Sequence, residues 1–254
     1  MRNIFLELFR KKAEKYSEGM ILKRKMRIQG KLVSLFVSPD SQLKYFKFDK
    51  FDDGLIQIAE KYITKESHIW DIGANVGVFG YACSVIAKNG SVLLVEPDLF
   101  LANILYKTSR LKEFINKKII IISAAITDKN AISELEIASR GRAANSLKIA
   151  HGSSQMGGVR EIQYTPSLTL DLILDSFLTT PDFVKIDIEG SELLAINGAK
   201  RLINDIRPIF FIEVSRHNFF RLFKIFKQSD YSAFNVNGER LLHDCEENTL
   251  FIPN

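Results

Sequence analysis

From residue 68 onward, short runs that are apolar on both faces alternate with segments of helical periodicity. No other feature of the chain constrains the fold as strongly. A strand covered on both sides reads as a near-continuous apolar run, and a helix between two such runs returns the chain for parallel pairing. The pattern predicts strands at 68–72, 91–96, 119–123, 182–188 and 208–214, and helices at 76–88, 99–109, 192–204 and 217–228. The expected class is α/β, a mostly parallel sheet with helices on both faces. A further helix is expected at 53–62, and two closing strands at Ala233–Val236 and Thr249–Ile252.

Two regions depart from this rhythm. Residues 1–50 read as an extension and 51–254 as the main domain. In the extension, Ile4, Phe5, Leu8, Phe9, Ala13 and Tyr16 repeat at helical spacing, and Gly19 stops the helix. Met26–Ile28 and Leu32–Val37 then flank Gln29-Gly30-Lys31 as a hairpin. Residues 128–166 are an excursion over the sheet edge, with strands expected at Leu135–Ala138 and Glu161–Tyr164. Its basic residues are Arg140, Arg142, Lys148 and His151. The aromatic stripe Phe219, Phe220, Leu222, Phe223 and Phe226 reads as a helix face packed on the sheet.

Composition narrows the class. With 46% hydrophobic residues in 254, the chain can bury a sizeable core. No apolar run reaches the roughly 18–20 residues of a membrane-spanning helix. Glu7, Arg10, Lys11 and Lys12 interrupt the first apolar residues, so no secretory pattern is expected. Cys83 and Cys245 have no CxxC partner and read as buried reduced thiols, which suits a cytoplasmic protein. Residues 1–31 hold ten Lys/Arg and three Glu, a local +7 of the net +5. A basic amphipathic arm of this kind can lie peripherally on an anionic membrane surface, although packing on its own domain is the commoner fate. No nucleic-acid signature accompanies it.

The chemistry-bearing motif is Asp71-x-Gly73-x-Asn75-x-Gly77, a tight turn between a strand and a helix, followed after the next strand by Glu96-Pro97-Asp98. Strand, turn, helix, strand and acid in this order hold a nucleoside-bearing cofactor at the carboxyl ends of parallel strands. A dinucleotide site needs a glycine where Asn75 stands, and Asp71 would repel a pyrophosphate. S-adenosylmethionine has no phosphate but carries an ammonium, a carboxylate and a sulfonium. Asp71 suits the cationic part, and the turn amides with the following helix N-terminus are expected to receive the carboxylate. Glu96 can accept hydrogen bonds from both ribose hydroxyls.

Further motifs are VKIDIEGSE at 184–192, NGAK at 197–200, RPIFFIEV at 207–214 and the terminal NTLFIPN. Together with DIGANVG and VEPD, they make residues 50–254 resemble the FkbM family of S-adenosylmethionine-dependent methyltransferases. That resemblance implies a Rossmann-like fold whose seven-stranded sheet has one antiparallel strand near the end. It also implies methyl transfer to a hydroxyl, often of a sugar or secondary metabolite. On it, Asp71, Gly73, Ala74, Asn75, Gly77, Glu96 and Pro97 become cofactor residues, and Ala124 and Ala125 fall where the adenine is approached. Many members have His where this chain has Ser191, so that position receives no catalytic role.

An alcohol must lose its proton as it attacks, so a base within hydrogen-bond reach is expected. Asp187, at the end of a central strand, is the first candidate. Glu189 and His217 are the others, and Arg140, Asn145 and Glu213 are expected to contact a small-molecule or glycan acceptor. Asp187, Glu189, Glu213 and His217 are chemically suitable ligands for a divalent metal, but they lack tight ligand spacing and a metal is not favoured. Two other classes stay open: a nicotinamide-dependent oxidoreductase on the same kind of sheet, and a non-catalytic binding module that keeps the fold.

Overall fold

The computed structural model describes residues 12–48, 51–150 and 157–254. Of the helix expected from Ile4 to Tyr16, residues up to 11 lie outside the described residues, as does His151, and residues 12–17 are helical. β1 (Leu22–Ile28) and β2 (Lys31–Val37) form an antiparallel hairpin. Its turn residues Gln29 and Gly30 both have positive φ, 46° and 77°, the twist a two-residue hairpin loop requires.

The remaining strands are β3 (His68–Ile72), β4 (Ser91–Val95), β5 (Ile119–Ile122), β6 (Ala125–Ile126), β7 (Ala131–Ala138), β8 (Ser146–Leu147) and β9 (Val159–Leu168). They are followed by β10 (Phe183–Ile186), β11 (Ile209–Glu213), β12 (Tyr231–Asn235), β13 (Arg240–Leu241) and β14 (Asn248–Pro253). The α-helices are α1 (Asp53–Tyr62), α2 (Val78–Ile86), α3 (Leu99–Ser109), α4 (Leu170–Ser176), α5 (Glu192–Asn197) and α6 (Phe219–Gln228).

The main sheet runs β13-β12-β14-β11-β10-β3-β4-β5. β5, β4, β3, β10 and β11 pair in parallel, and β14 lies antiparallel to both β11 and β12. The sheet therefore has eight strands where the resemblance implies seven. The eighth is the two-residue β13, which pairs antiparallel with the end of β12 and is too short to leave an apolar pattern. Strand order reverses between β3 and β10. Ligands of open α/β sheets bind at the carboxyl ends of strands flanking such a reversal.

Successive strand residues point to opposite faces, so each strand feeds two cores. Ile69, Val92, Leu94 and Phe183 pack with α1, α2, α3 and the hairpin, while Trp70, Ile72, Leu93, Val95 and Ile186 pack with α4, α5 and α6. The hairpin is integral to the first core. Met26, Ile28, Leu35 and Val37 are fully buried, and a buried side chain of this size contributes about 1.5–3 kcal/mol. Phe36 N donates to Thr108 Oγ1 of α3 at 3.0 Å, which fixes the hairpin beside that helix. On α6, Leu222 and Phe226 are buried and Phe226 stacks on Phe251 at 3.9 Å, whereas Phe220 points to solvent. Cys83 and Cys245 are free and buried. No helix among the described residues is long and apolar enough to cross a membrane.

The excursion is a second sheet of order β6-β9-β7-β8. Both predicted strands are longer than expected, because the β7–β9 ladder continues through Ser133, Glu134, Thr165 and Ser167, which carry no apolar alternation. α4 was not predicted; it is only seven residues long, with Thr169 Oγ1 accepting from Leu172 N as its cap. The helix expected at 192–204 stops at Asn197. Gly198 caps it where a Cβ would stand 2.5 Å from the Thr127 carbonyl, and a separate π-turn follows at Leu202–Ile206.

Candidate active site

At the carboxyl ends of β3, β4 and β10 the chain opens into a cavity of ≈ 680 Å³. That is within the roughly 300–1,000 Å³ of small-molecule sites. Its floor is the turn after β3. Gly73 and Ala74 both donate their N–H to the Val95 carbonyl, at 2.9 and 3.0 Å, which binds the turn to the end of β4. Gly73 has φ +75°, and a Cβ there would stand 1.8 Å from the Asp187 carbonyl oxygen, so the β3 turn and the end of β10 can approach this closely only with glycine.

Asn75 occupies the left-handed region at φ 53°, which asparagine tolerates better than most residues. Its N–H donates to Glu96 Oε2 at 2.8 Å, and its Oδ1 accepts from Val76 N at 2.8 Å and from Ser41 Oγ at 2.6 Å. Gly77 N donates to the Ala74 carbonyl at 2.8 Å. Every amide from Gly73 to Gly77 is thus already bonded within the protein. This corrects the expectation that the turn amides receive a carboxylate. The N–H groups that precede the helical ladder belong to Val78 and Phe79 at the start of α2, and both residues line the cavity.

Glu96 lies across the turn with both oxygens engaged, Oε2 by Asn75 N and Oε1 by Asp98 N at 2.9 Å. Each oxygen keeps one lone pair. Burial raises the Glu96 pKa to about 8 against the opposing backbone donors. Pro97, Leu101, Ala124, Ala125 and Ile126 line the cavity beside it and make an apolar slot.

Between the turn and β10 lies a triad of charges, with Asp71 and Lys185 buried and Asp187 partly exposed. Lys185 Nζ stands 3.3 Å from Asp71 Oδ1 and 3.2 Å from Asp187 Oδ2. Asp71 Oδ2 accepts from Gly80 N at 3.0 Å, which also anchors α2. Burial disfavours the lysine cation, but Asp187 and Asp71 outweigh it and push its pKa up. Burial pushes Asp71 up, and Lys185 opposes the rise. Two carboxylates around one ammonium leave the triad with a net negative charge.

Beyond it, the chain leaves β10 through two left-handed residues, Glu189 at φ 48° and Gly190 at φ 94°. Asp187, Glu189, Ser191 and Glu213 all line the cavity. Burial, Asp187 and Glu192 raise the Glu189 pKa to about 7. Burial, Asp187 and Glu189 raise that of Glu213 to about 8. Neither carboxyl has a hydrogen bond or ion pair to a side chain among the described residues. No group of three or more His, Cys, Asp or Glu among them is arranged to hold a metal ion.

Three expected site residues sit differently. His217 is exposed in the 3-10 turn Arg216–Asn218 and does not line the cavity. Arg140 pairs with Glu14 at 3.3 Å and lines a smaller neighbouring cavity. Asn145 reaches the main cavity, but its Nδ2 donates to Asp98 Oδ2 at 2.7 Å and its Oδ1 accepts from Ala138 N at 2.9 Å. Arg142 joins the same carboxylate at 2.7 Å and Asp40 at 2.9 Å, which ties the second sheet to the loop after the hairpin. Lys148 pairs with Glu134 at 2.6 Å on the surface.

Four contributors, Lys185, Gln42, Lys44 and Tyr45, were not anticipated. Lys185 leaves a signal: a cation inside a strand apolar on both faces requires an acidic partner. Gln42, Lys44 and Tyr45 reach the cavity from the loop and 3-10 turn after the hairpin, and nothing in their local pattern marks them.

A family model described as the methyltransferase FkbM domain matches residues 71–234, more than half of the chain. No curated protein matches. Among solved structures, the methyltransferase FkbM from Methylobacillus flagellatus KT is similar, with TM-score 0.48 and 18% identity, covering 84% of this chain and 58% of that one. The chain thus spans 58% of the length of that relative. The precorrin-6y C5,15-methyltransferase from Geobacter metallireducens GS-15 gives TM-score 0.44 at 11% identity, over 78% of this chain and 85% of that one. M. jannaschii TYW2 in complex with AdoMet gives 0.42 at 11%, over 90% and 84%.

Proposed function

The chain belongs to the methyltransferase FkbM domain family, and on that premise we propose that it is an S-adenosylmethionine-dependent O-methyltransferase acting on a hydroxyl of a sugar or a comparable small molecule. One observation carries the choice of donor. The turn after β3 has consumed its own amides, which leaves none of them for a phosphate, while Asp71 and Glu96 put carboxylates on either side of it. That arrangement suits a cationic, phosphate-free nucleoside and disfavours the nicotinamide alternative. When bound, S-adenosylmethionine supplies an electrophilic methyl group on a sulfonium.

Glu96 would accept from the ribose hydroxyls through its remaining lone pairs. Ala124, Ala125, Pro97 and Leu101 would flank the adenine. Asp71 and Asp187, locked by Lys185, hold negative charge where the cationic end belongs, and the first N–H groups of α2 face the carboxylate. On the acceptor side, Asp187 is tied to Lys185, so Glu189 is the freer carboxyl and takes the hydroxyl proton as the base. A base with a pKa near the working pH is the efficient choice, and Glu189 is raised to about 7.

Glu96→Gln keeps the shape but places an NH₂ against one of two backbone N–H donors. Hydrogen bonds to charged groups are worth about 1.5–3 kcal/mol, so S-adenosylhomocysteine should bind roughly 10- to 100-fold more weakly. Calorimetry showing unchanged affinity would remove Glu96 from the cofactor site. For the reaction, the protein is incubated with methyl-labelled donor and fractionated cell extract, and the labelled product is identified by mass and fragmentation. A methyl ether is expected; label on nitrogen or carbon, or none in any fraction, contradicts O-methylation.

A further inference from the structure

Past the charge triad, the acceptor end of the cavity holds more carboxyl groups than the transfer requires. Lys185 is fully engaged by Asp71 and Asp187. If Glu189 serves as base, Glu213, expected to contact the acceptor, has no catalytic part and no partner in the acceptor named for it. It ends β11 opposite Asn248 in the β11–β14 ladder, and both residues line the cavity together with Asn237. No cationic side chain among the described residues pairs with it. A half-buried carboxylate without a counter-ion is unfavourable unless a ligand supplies the charge.

A second observation points the same way. Ser191 is the residue before α5 and lines the same cavity. Its hydroxyl neither caps the helix nor meets any other hydrogen-bond partner, although the residue is only 1% exposed. Serine at this position ordinarily caps its helix. Glu192 does not cap the helix either: its Oε1 accepts from Gly190 N at 2.7 Å, ahead of the helix, and its Oε2 accepts from Ser215 Oγ at 3.1 Å. Ser191 Oγ is therefore a buried hydroxyl without a partner among the described residues, in a residue that lines the same cavity as Glu213.

We propose that Glu213 and Ser191, with Asn248 beside them, form a subsite for a protonated amine of the acceptor, so that the acceptor is an amine-bearing polyol of the amino-sugar class. An ammonium has three donors and needs acceptors only. A carboxylate, a hydroxyl oxygen and an amide oxygen fill that need. A neutral hydroxyl would leave the carboxyl uncompensated. A divalent metal fits less well, since no three His, Cys, Asp or Glu side chains among the described residues are arranged to hold one. Glu213 is flanked by Asp187, Glu189 and Glu247, with Lys185 the one opposing cation, so binding an ammonium should expel the proton that Glu213 holds near neutrality.

The inference rests on the methyltransferase reading and is tested apart from it. Wild type and Glu213→Gln, each saturated with S-adenosylhomocysteine, are titrated calorimetrically with glucosamine, N-acetylglucosamine and glucose, in two buffers of different ionisation enthalpy. Expected are at least tenfold tighter binding of glucosamine than of the two neutral sugars, proton release on binding, and loss of both in Glu213→Gln while S-adenosylhomocysteine affinity is kept. Glucosamine binding no more tightly than glucose, or not at all, overturns the amine subsite and leaves the donor site standing. So does saturable Mn²⁺ binding that Glu213→Gln abolishes. Failure of S-adenosylhomocysteine itself to bind would instead overturn the methyltransferase reading, and the subsite with it.

Discussion

Lys185→Met should lower the stability of the protein by about 3–5 kcal/mol, the usual cost of removing one partner from a buried ion pair. Asp71 is 1% exposed and keeps only the Gly80 N–H once the ammonium is gone. For a domain of this size about 2–4 °C accompanies each kcal/mol, so the midpoint of thermal unfolding should fall by roughly 6–20 °C. The double variant Asp71→Asn/Lys185→Met removes the stranded charge and should recover much of the loss. A single variant as stable as wild type would mean that the triad is not what holds β3 to β10 at the cavity.

Glu189→Gln should reduce kcat by about 10²–10⁴-fold with little change in the affinity for S-adenosylhomocysteine, the range expected when a general base is removed. The sign of the pH dependence follows from the direction of the shift. Glu189 acts in its deprotonated form, and burial, Asp187 and Glu192 raise its pKa to about 7. Wild-type turnover should therefore climb as pH rises through neutrality and then level off. The variant should lack that limb. A variant with wild-type kcat and an unaltered profile would return the base to Asp187, the residue the sequence places first.

The parallel strands were legible because each is apolar on both faces, as in Val92-Leu93-Leu94-Val95, and their observed bounds differ from expectation by a residue or two. β7 and β9 were seen only in part, since Ser133, Glu134, Thr165 and Ser167 pair without an apolar rhythm. The donor side of the cavity was legible for a similar reason: Asp71, Asn75 and Glu96 sit at fixed distances along a turn and two adjacent strands. Their internal bonding was not. That the turn amides are spent on Val95, Glu96 and Asn75 itself depends on the contact between two strand ends, which spacing alone does not reveal. The acceptor side draws on distant segments, with Gln42, Asn145, Glu213 and Asn248 meeting only in the folded chain. His217 has the right chemistry four residues after Glu213, but the 3-10 turn at Arg216–Asn218 leaves it exposed, outside the cavity lining.

We propose that the turn after β3 and Glu96 hold S-adenosylmethionine and not a dinucleotide. Calorimetric titration of the folded wild-type protein with S-adenosylhomocysteine and, separately, with the reduced nicotinamide dinucleotide addresses it directly. Expected are one saturable site of micromolar affinity for the first ligand and no heat of binding for the second. Saturable binding of the dinucleotide, or no binding of S-adenosylhomocysteine, would contradict it.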